Sequence, residues 1–310
     1  MQRSLFGLLL FVTGLVLSLP TSGRSQEIWF DPTPGQVAQL FARPEEWPQA
    51  ARRTAVLSLA FNDILKTPPE TLNEQLSFLA ARGIKLNVEM LAMPVDKKVC
   101  GNGLEGTVWP GEPVAHAEKL NELHVNPAYF SYDGPLTVAH LYHGDQACNL
   151  SITEAAQHLA ITEKALRERF PGAKFIDVEP PTYIRPKEWD QVLRKWLRAY
   201  ESATGTPLYG MTMDVNWQGS WQDSVRDTVH VLRESRVRVG IFLNSTAGGQ
   251  VSPAQWMAQA ESHGCAMRGL GPFDYVEVAN WSAKTVQNIP ESDPSTLTSL
   301  LNWYASGVRC

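Results

Sequence analysis

Eight short apolar runs rich in Val, Ile, Phe and Tyr recur along the chain, each followed by a longer polar or helix-periodic stretch. This alternation restricts the fold more than any other feature. The runs predict strands near Ile28–Phe30, Ala55–Ala60, Lys85–Met90, Ala128–Asp133, Lys174–Glu179, Leu208–Val215, Val237–Asn244 and Tyr275–Trp281. Helices are predicted over Thr71–Ala81, Ile152–Arg169, Lys187–Glu201, Trp221–Arg233, Pro253–Ser262 and Pro294–Tyr304. Ser151 with Glu154 three residues on spells a capping box. Pro186 opens the third of these helices, and Ser252-Pro253 and Asp293-Pro294 read as N-caps followed by proline in the first turn. Val95–Pro113 reads as a long loop. Strict strand–helix alternation calls for a parallel sheet with helices outside it, and eight units allow closure into a single (β/α)8 barrel of the α/β class. The rival is an open doubly wound sheet, which often carries GxGxxG after its first strand; here Asp31-Pro32-Thr33-Pro34-Gly35 follows instead.

The start of the chain points to export. Arg3 precedes the apolar run Leu5–Leu19, and Pro20 with Thr21, Ser22 and Gly23 leads into a polar stretch, the layout of a signal peptide. An uncleaved anchor is the rival reading, but the run is short for a span of roughly 20 residues. We therefore divide the chain into a signal peptide, residues 1–25, and one barrel domain, residues 26–310. The expected location is secreted or periplasmic, with no membrane span left after cleavage. Four cysteines in an exported chain read as disulfides. Cys100 and Cys148 would follow the third and fourth strands on the C-terminal face. Cys265 and Cys310 would follow the last two helices on the opposite face. The expected bridges are Cys100–Cys148 and Cys265–Cys310.

Several chemistries lack their signatures. A net charge of −5 offers no basic face for nucleic acid. There is no HxH or HExxH, no GxSxG and no GxxxxGK[ST], so neither a metal nor a cofactor is expected. Gly248-Gly249 before a helix could hold a phosphate, although an ordinary turn accounts for it.

Acids at the strand ends carry the positive signal. Alternate strand residues face a barrel's interior, and those at the C-terminal ends build the active site. On that phasing Glu89 points inward with Asn87, Asp133 with Ser131, Glu179 with Asp177, Asp214 with Thr212 and Asn216, and Glu277 with Trp281. Carboxylates are rarely buried without partners. Clustered, they repel, leaving one proton donor and one ionised partner, as glycosidic cleavage requires. Glu179 is the expected general acid or base, Asp214 or Asp133 the nucleophile or second carboxylate, and Glu89 the tuning or substrate-binding acid. Barrel ion pairs with Arg or Lys are the structural alternative. Asp177 and Glu277, one layer deeper, read as supports. Ten tryptophans are many for one chain. Trp217 and Trp281 are expected to flank the mouth, joined by Trp29, as platforms for sugar rings. Tyr132, Asn216 and Asn244 could bind hydroxyl groups.

The chain resembles a group of bacterial exported TIM-barrel proteins described as glycoside hydrolase-like. The likeness rests on Ile28-Trp29-Phe30-Asp31-Pro32, Ile176-Asp177-Val178-Glu179-Pro180, Asp214-Val215-Asn216-Trp217, and Asn280-Trp281 leading to Ile289-Pro290-Glu291-Ser292-Asp293-Pro294. It spans nearly the whole mature chain and implies the fold and the broad activity. Members of that group carry Asp-Glu-Pro where this chain has Asp133-Gly134-Pro135. Barrels that use glutamates on strands four and seven do not map either, because the seventh strand ends in Asn244. A scheme with aspartates on strands four and six maps onto Asp133 and Asp214. The resulting expectation is an exported glycoside hydrolase acting on an oligo- or polysaccharide. A non-catalytic carbohydrate-binding barrel and a carboxylate-held divalent-metal lyase or isomerase remain open.

Overall fold

A computed structural model describes residues 26–182, 188–245, 251–282, 285–307 and 310. The segment expected to be a signal peptide, the start of the helix expected from Lys187 and the turn expected at Gly248-Gly249 lie outside the described residues.

Eight parallel strands close into a barrel. They are β1 (Glu27–Asp31), β2 (Thr54–Ala60), β3 (Lys85–Met90), β6 (Tyr129–Asp133), β7 (Lys174–Glu179), β8 (Gly210–Met213), β9 (Arg238–Leu243) and β10 (Tyr275–Ala279). The short β4 (Met93–Pro94) and β5 (Thr107–Val108) pair with each other above the barrel. The order around the wall is β1-β10-β9-β8-β7-β6-β3-β2, so sequential barrel strands are neighbours and β1 closes on β10. The open-sheet alternative is thereby excluded.

Among the described residues ten α-helices accompany the strands: α1 (Val37–Ala42), α2 (Pro48–Arg53), α3 (Phe61–Lys66), α4 (Pro69–Ala81), α5 (Glu112–Glu122), α6 (Ile152–Arg169), α7 (Trp189–Thr204), α8 (Trp221–Glu234), α9 (Pro253–Met267) and α10 (Leu297–Ala305). The capping box forms at α6: Ser151 N–H donates to Glu154 Oε2 at 2.8 Å and Glu154 N–H to Ser151 Oγ at 3.2 Å. The expected cap at Asp293 does not form. Asp293 Oδ1 instead accepts from Ser295 N–H and Oγ in a turn, and Thr296 caps α10. The loop expected over Val95–Pro113 contains β5 and ends in the first turn of α5.

Outward strand residues such as Leu57, Val88, Phe130, Phe175, Met211 and Ile241 form one buried layer with the helices. Each large apolar side chain buried there is worth about 1.5–3 kcal/mol. Inside the barrel, Trp29, Val56, Tyr129, Ile176 and Tyr275 make a separate apolar plug. Trp29 stacks on Tyr275 with ring centroids 4.3 Å apart. Two residues further along the strands comes a polar layer: Asn87 Nδ2 donates to Ser58 Oγ at 3.0 Å and to Ser131 Oγ at 2.9 Å, and Ser58 donates to Glu277. Two residues further again, the strand ends open on the C-terminal face.

Both expected disulfides are present. Cys100–Cys148 has a Cα–Cα distance of 5.0 Å and Cys265–Cys310 one of 5.6 Å. Cys265 lies in the last turn of α9 rather than beyond it. Among the described residues no helix is long and apolar enough to cross a membrane.

Candidate active site

A cavity of about 400 Å³ opens at the C-terminal mouth, lined in part by Glu89, Glu105, Asp133, Asp214, Phe242 and Trp281. The wall explains this lining. Ala60 pairs with Glu89, Glu89 with Ser131, Asp133 with Val178, and Val178 with Thr212. Laterally paired residues of a sheet share a face. The inward residues at the rim are therefore Asp31, Ala60, Glu89, Asp133, Val178, Asp214 and Phe242, taken around the wall. Asp133 and Asp214 sit on strands separated by β7, with the apolar Val178 between them.

The electrostatics follow from this crowding. Burial pushes the Glu89 carboxyl well above the usual range, and Asp31, Glu277 and Asp133 add repulsion. Asp31 is raised likewise, by burial first and Glu277 second, while a hydrogen bond from Trp281 partly offsets the rise. Burial, Glu105 and Asp214 bring Asp133 to about 7, and burial with Glu105 brings Asp214 to about 6. Asp133 keeps solvent contact at the mouth, which screens part of the repulsion. Glu277, one layer down, is pushed to about 7 by burial. Among the described residues no lysine or arginine forms an ion pair with any of these acids. No group of three or more His, Cys, Asp or Glu among the described residues is placed to hold a metal ion.

Glu89, Asp133 and Asp214 thus converge, whereas Glu179 does not. Because Asp133 pairs with Val178, Ile176 and Val178 take the inward face of β7, and Asp177 and Glu179 point to the helices. Asp177 Oδ2 accepts from Trp196 Nε1 of α7 at 2.7 Å. Glu179 is fully buried and accepts from Leu136 N–H at 2.7 Å, Thr137 N–H at 3.2 Å and Thr137 Oγ1 at 2.5 Å. It cannot reach a ligand in the cavity.

Of the six expected binding residues, one lies at the mouth. Trp281 is 49% exposed, meets Phe242 edge to face at 5.0 Å and donates its indole N–H to Asp31 Oδ2 at 2.8 Å. Trp217 is buried against His263 and Trp221, because it points outward from the wall, and its Nε1 donates to Asn244 Oδ1 at 2.6 Å. That bond occupies Asn244, which is also buried. Trp29 belongs to the plug two layers down. Tyr132 is outward, fully buried and stacked on Phe175. Asn216 lies outside the cavity lining, its Oδ1 accepting from Gln218 N–H at 3.1 Å.

The structure adds residues that the sequence reading passed over. Asp31 follows the alternation Glu27, Trp29, Asp31 and could have been found by phasing β1. Glu105 is delivered by a loop that approaches so closely that a Cβ on Gly106 would lie 2.4 Å from the Asp133 carbonyl oxygen. His116, on α5, lines the cavity and packs on Phe61 with ring centroids 4.3 Å apart. Burial holds its imidazole below the usual value. Neither loop nor helix carried a signal tying them to the mouth.

No protein-family model matches the chain, and no curated protein matches it. Solved structures of similar shape include a glycoside hydrolase family 10 endoxylanase from a sugarcane soil metagenome. It has a TM-score of 0.56 and 12% identity over 90% of this chain and 96% of that one. A fungal β-1,4-galactanase has a TM-score of 0.55 and 12% identity over 90% and 100% of the two chains. A psychrophilic family 10 endo-β-1,4-xylanase has a TM-score of 0.52 and 14% identity over 82% and 87%. At these identities the likeness establishes the TIM-barrel fold.

Proposed function

We propose that the mature chain is an exported glycoside hydrolase whose working pair is Asp133 and Asp214. The observation that carries this reading is the convergence of Asp133, Asp214, Glu105 and Glu89 on one open cavity. With its proton affinity raised to about 7, Asp133 keeps its proton to near neutrality and suits the general acid. Asp214, at about 6, is the more readily ionised and suits the nucleophile or base. Glu89, whose carboxyl is raised first by burial and then by its acidic neighbours, offers an O–H donor to sugar hydroxyls. Trp281 presents an indole face at the mouth, suited to the C–H face of a ring. The xylanases and galactanase of similar shape support a carbohydrate substrate. The four acids lining the cavity, with no lysine or arginine beside them among the described lining residues, favour neutral or amino sugars over uronates. The two disulfides and the N-terminal apolar run support export.

Gly134 favours a second reading, a carbohydrate-binding barrel without turnover. Its φ of +55° is a conformation that disfavours the glutamate found there in the group the chain resembles. Incubating the mature protein with a panel of neutral and amino-sugar oligosaccharides separates the two. Release of reducing ends that is lost in Asp133→Asn and Asp214→Asn supports the hydrolase. Binding by calorimetry with no reducing ends released supports the binding barrel.

A further inference from the structure

We propose that Glu179, from the outer face of the wall, is the positioning residue that sets where the Asp133 carboxyl stands in the cavity; this rests on the reading of Asp133 as a working acid. The segment from Asp133 to Thr137 crosses from the end of β6 into a helical turn and is tied to β7 at both ends. Gly134 N–H donates to the Val178 carbonyl at 2.7 Å. Beyond Pro135, which has no N–H to offer, the next two amides both go to Glu179, as does the Thr137 hydroxyl. These donors occupy both carboxylate oxygens. Consecutive buried amides aimed at a single carboxylate leave the segment little freedom to rotate, because a buried amide left unmet is strongly unfavourable. Asp133 is the last residue before this clamp and faces Glu105 and Asp214 across the mouth. A shift of the clamp therefore changes its distance from both.

Glu179 has no paired cation among the described residues; three hydrogen bonds hold its carboxyl. Burial and the neighbouring Asp177 raise its proton affinity, and the hydrogen bonds from Thr137 and Leu136 oppose the rise. Glutamine keeps the shape but replaces one acceptor by an NH2 group. It can satisfy one amide and leaves the other facing a donor. The Thr137→Val change removes only the hydroxyl donor.

Carbon-13 NMR titration of aspartate and glutamate side chains, in the mature protein with both disulfides formed, tests this without a substrate. Asp133 is expected to titrate near the raised value of about 7 in the wild type. In Glu179→Gln its proton affinity is expected to fall about tenfold, as the carboxyl leaves its repelling neighbours and gains water. Thr137→Val is expected to move it in the same direction by less. Glu277, on the diametrically opposite strand, should titrate as in the wild type. Unchanged Asp133 titration in both variants, with amide spectra showing an intact fold, overturns the proposal. Should Glu179→Gln fail to fold, Thr137→Val alone decides. Where a glycan is cleaved, the alkaline limb of the kcat profile should move with Asp133, with KM little changed. If no glycan is cleaved, the hydrolase reading fails while the titration still reports on the clamp.

Discussion

Asp133 on β6 and Val178 on β7 are lateral partners in the barrel wall, and this pairing turns Glu179 away from the cavity. The same pairing leaves Val178 as an apolar spacer between Asp133 and Asp214. Small or apolar residues interrupt the acids along the rim: Ala60 stands between Asp31 and Glu89, and Val178 between Asp133 and Asp214.

Removing either working carboxylate should stop the chemistry and spare binding. Asp133→Asn and Asp214→Asn are each expected to lower kcat by about 10²–10⁴-fold, with ligand affinity by calorimetry close to wild type. Turnover at the wild-type rate in both variants would falsify the assignment.

The pH–rate profile should be a narrow bell. Activity needs Asp214 ionised and Asp133 protonated, so it should rise through about 6 and fall through about 7. Steady-state rates from pH 4 to 9 check this. A rate that keeps climbing above pH 8 is incompatible with Asp133 as the proton donor.

Folding stability should decline between weakly acidic and weakly alkaline pH. The Glu277 carboxyl is raised from 4.5 to about 7 by burial, so the folded state holds a proton that the unfolded chain has released. Its contribution is fully present below about 4.5 and is lost as pH rises through about 7, on the order of 3 kcal/mol at most. Asp31, Glu89 and Asp177 act in the same sense. His116 and His263, held low by burial, act in the opposite one. Urea unfolding at pH 5 and pH 8 should show the loss, and Glu277→Gln should reduce it. Equal stability at both pH values, with no effect of that substitution, would contradict the burial argument.

Trp281 is expected to matter for affinity more than for rate. Trp281→Ala removes the exposed indole and the donor to Asp31, and should weaken oligosaccharide binding about tenfold. Trp217→Ala should instead lower thermal stability, because that ring is packed against His263 and Trp221. Calorimetry and melting curves separate the two, and equal affinity losses would mean that both rings meet the ligand.

Ligand charge gives the remaining test. A uronate-containing oligosaccharide should bind more weakly than its neutral counterpart, and the gap should narrow as salt is raised. Preference for the uronate would require a cation at the mouth that the described residues do not supply.

Much of this molecule was legible in the order of its residues. Eight strand segments separated by helix-length stretches leave few ways to bury every apolar face, and a closed parallel barrel is the most economical. Once the order of elements is known, Cys100 and Cys148 fall on one face and Cys265 and Cys310 on the other, so the bridges follow. Glu89, Asp133 and Asp214 could be placed because each has an apolar or aromatic neighbour that claims the outer face. Glu179 could not. In Ile176-Asp177-Val178-Glu179 both alternate sets have a use inside a protein, the apolar pair in a plug and the acids against buried donors. A strand has a period of two but no intrinsic preference for either phase. Lateral hydrogen bonding to β6 and β8 made the choice, and loops too irregular to carry any period brought Glu105 and His116 to the mouth.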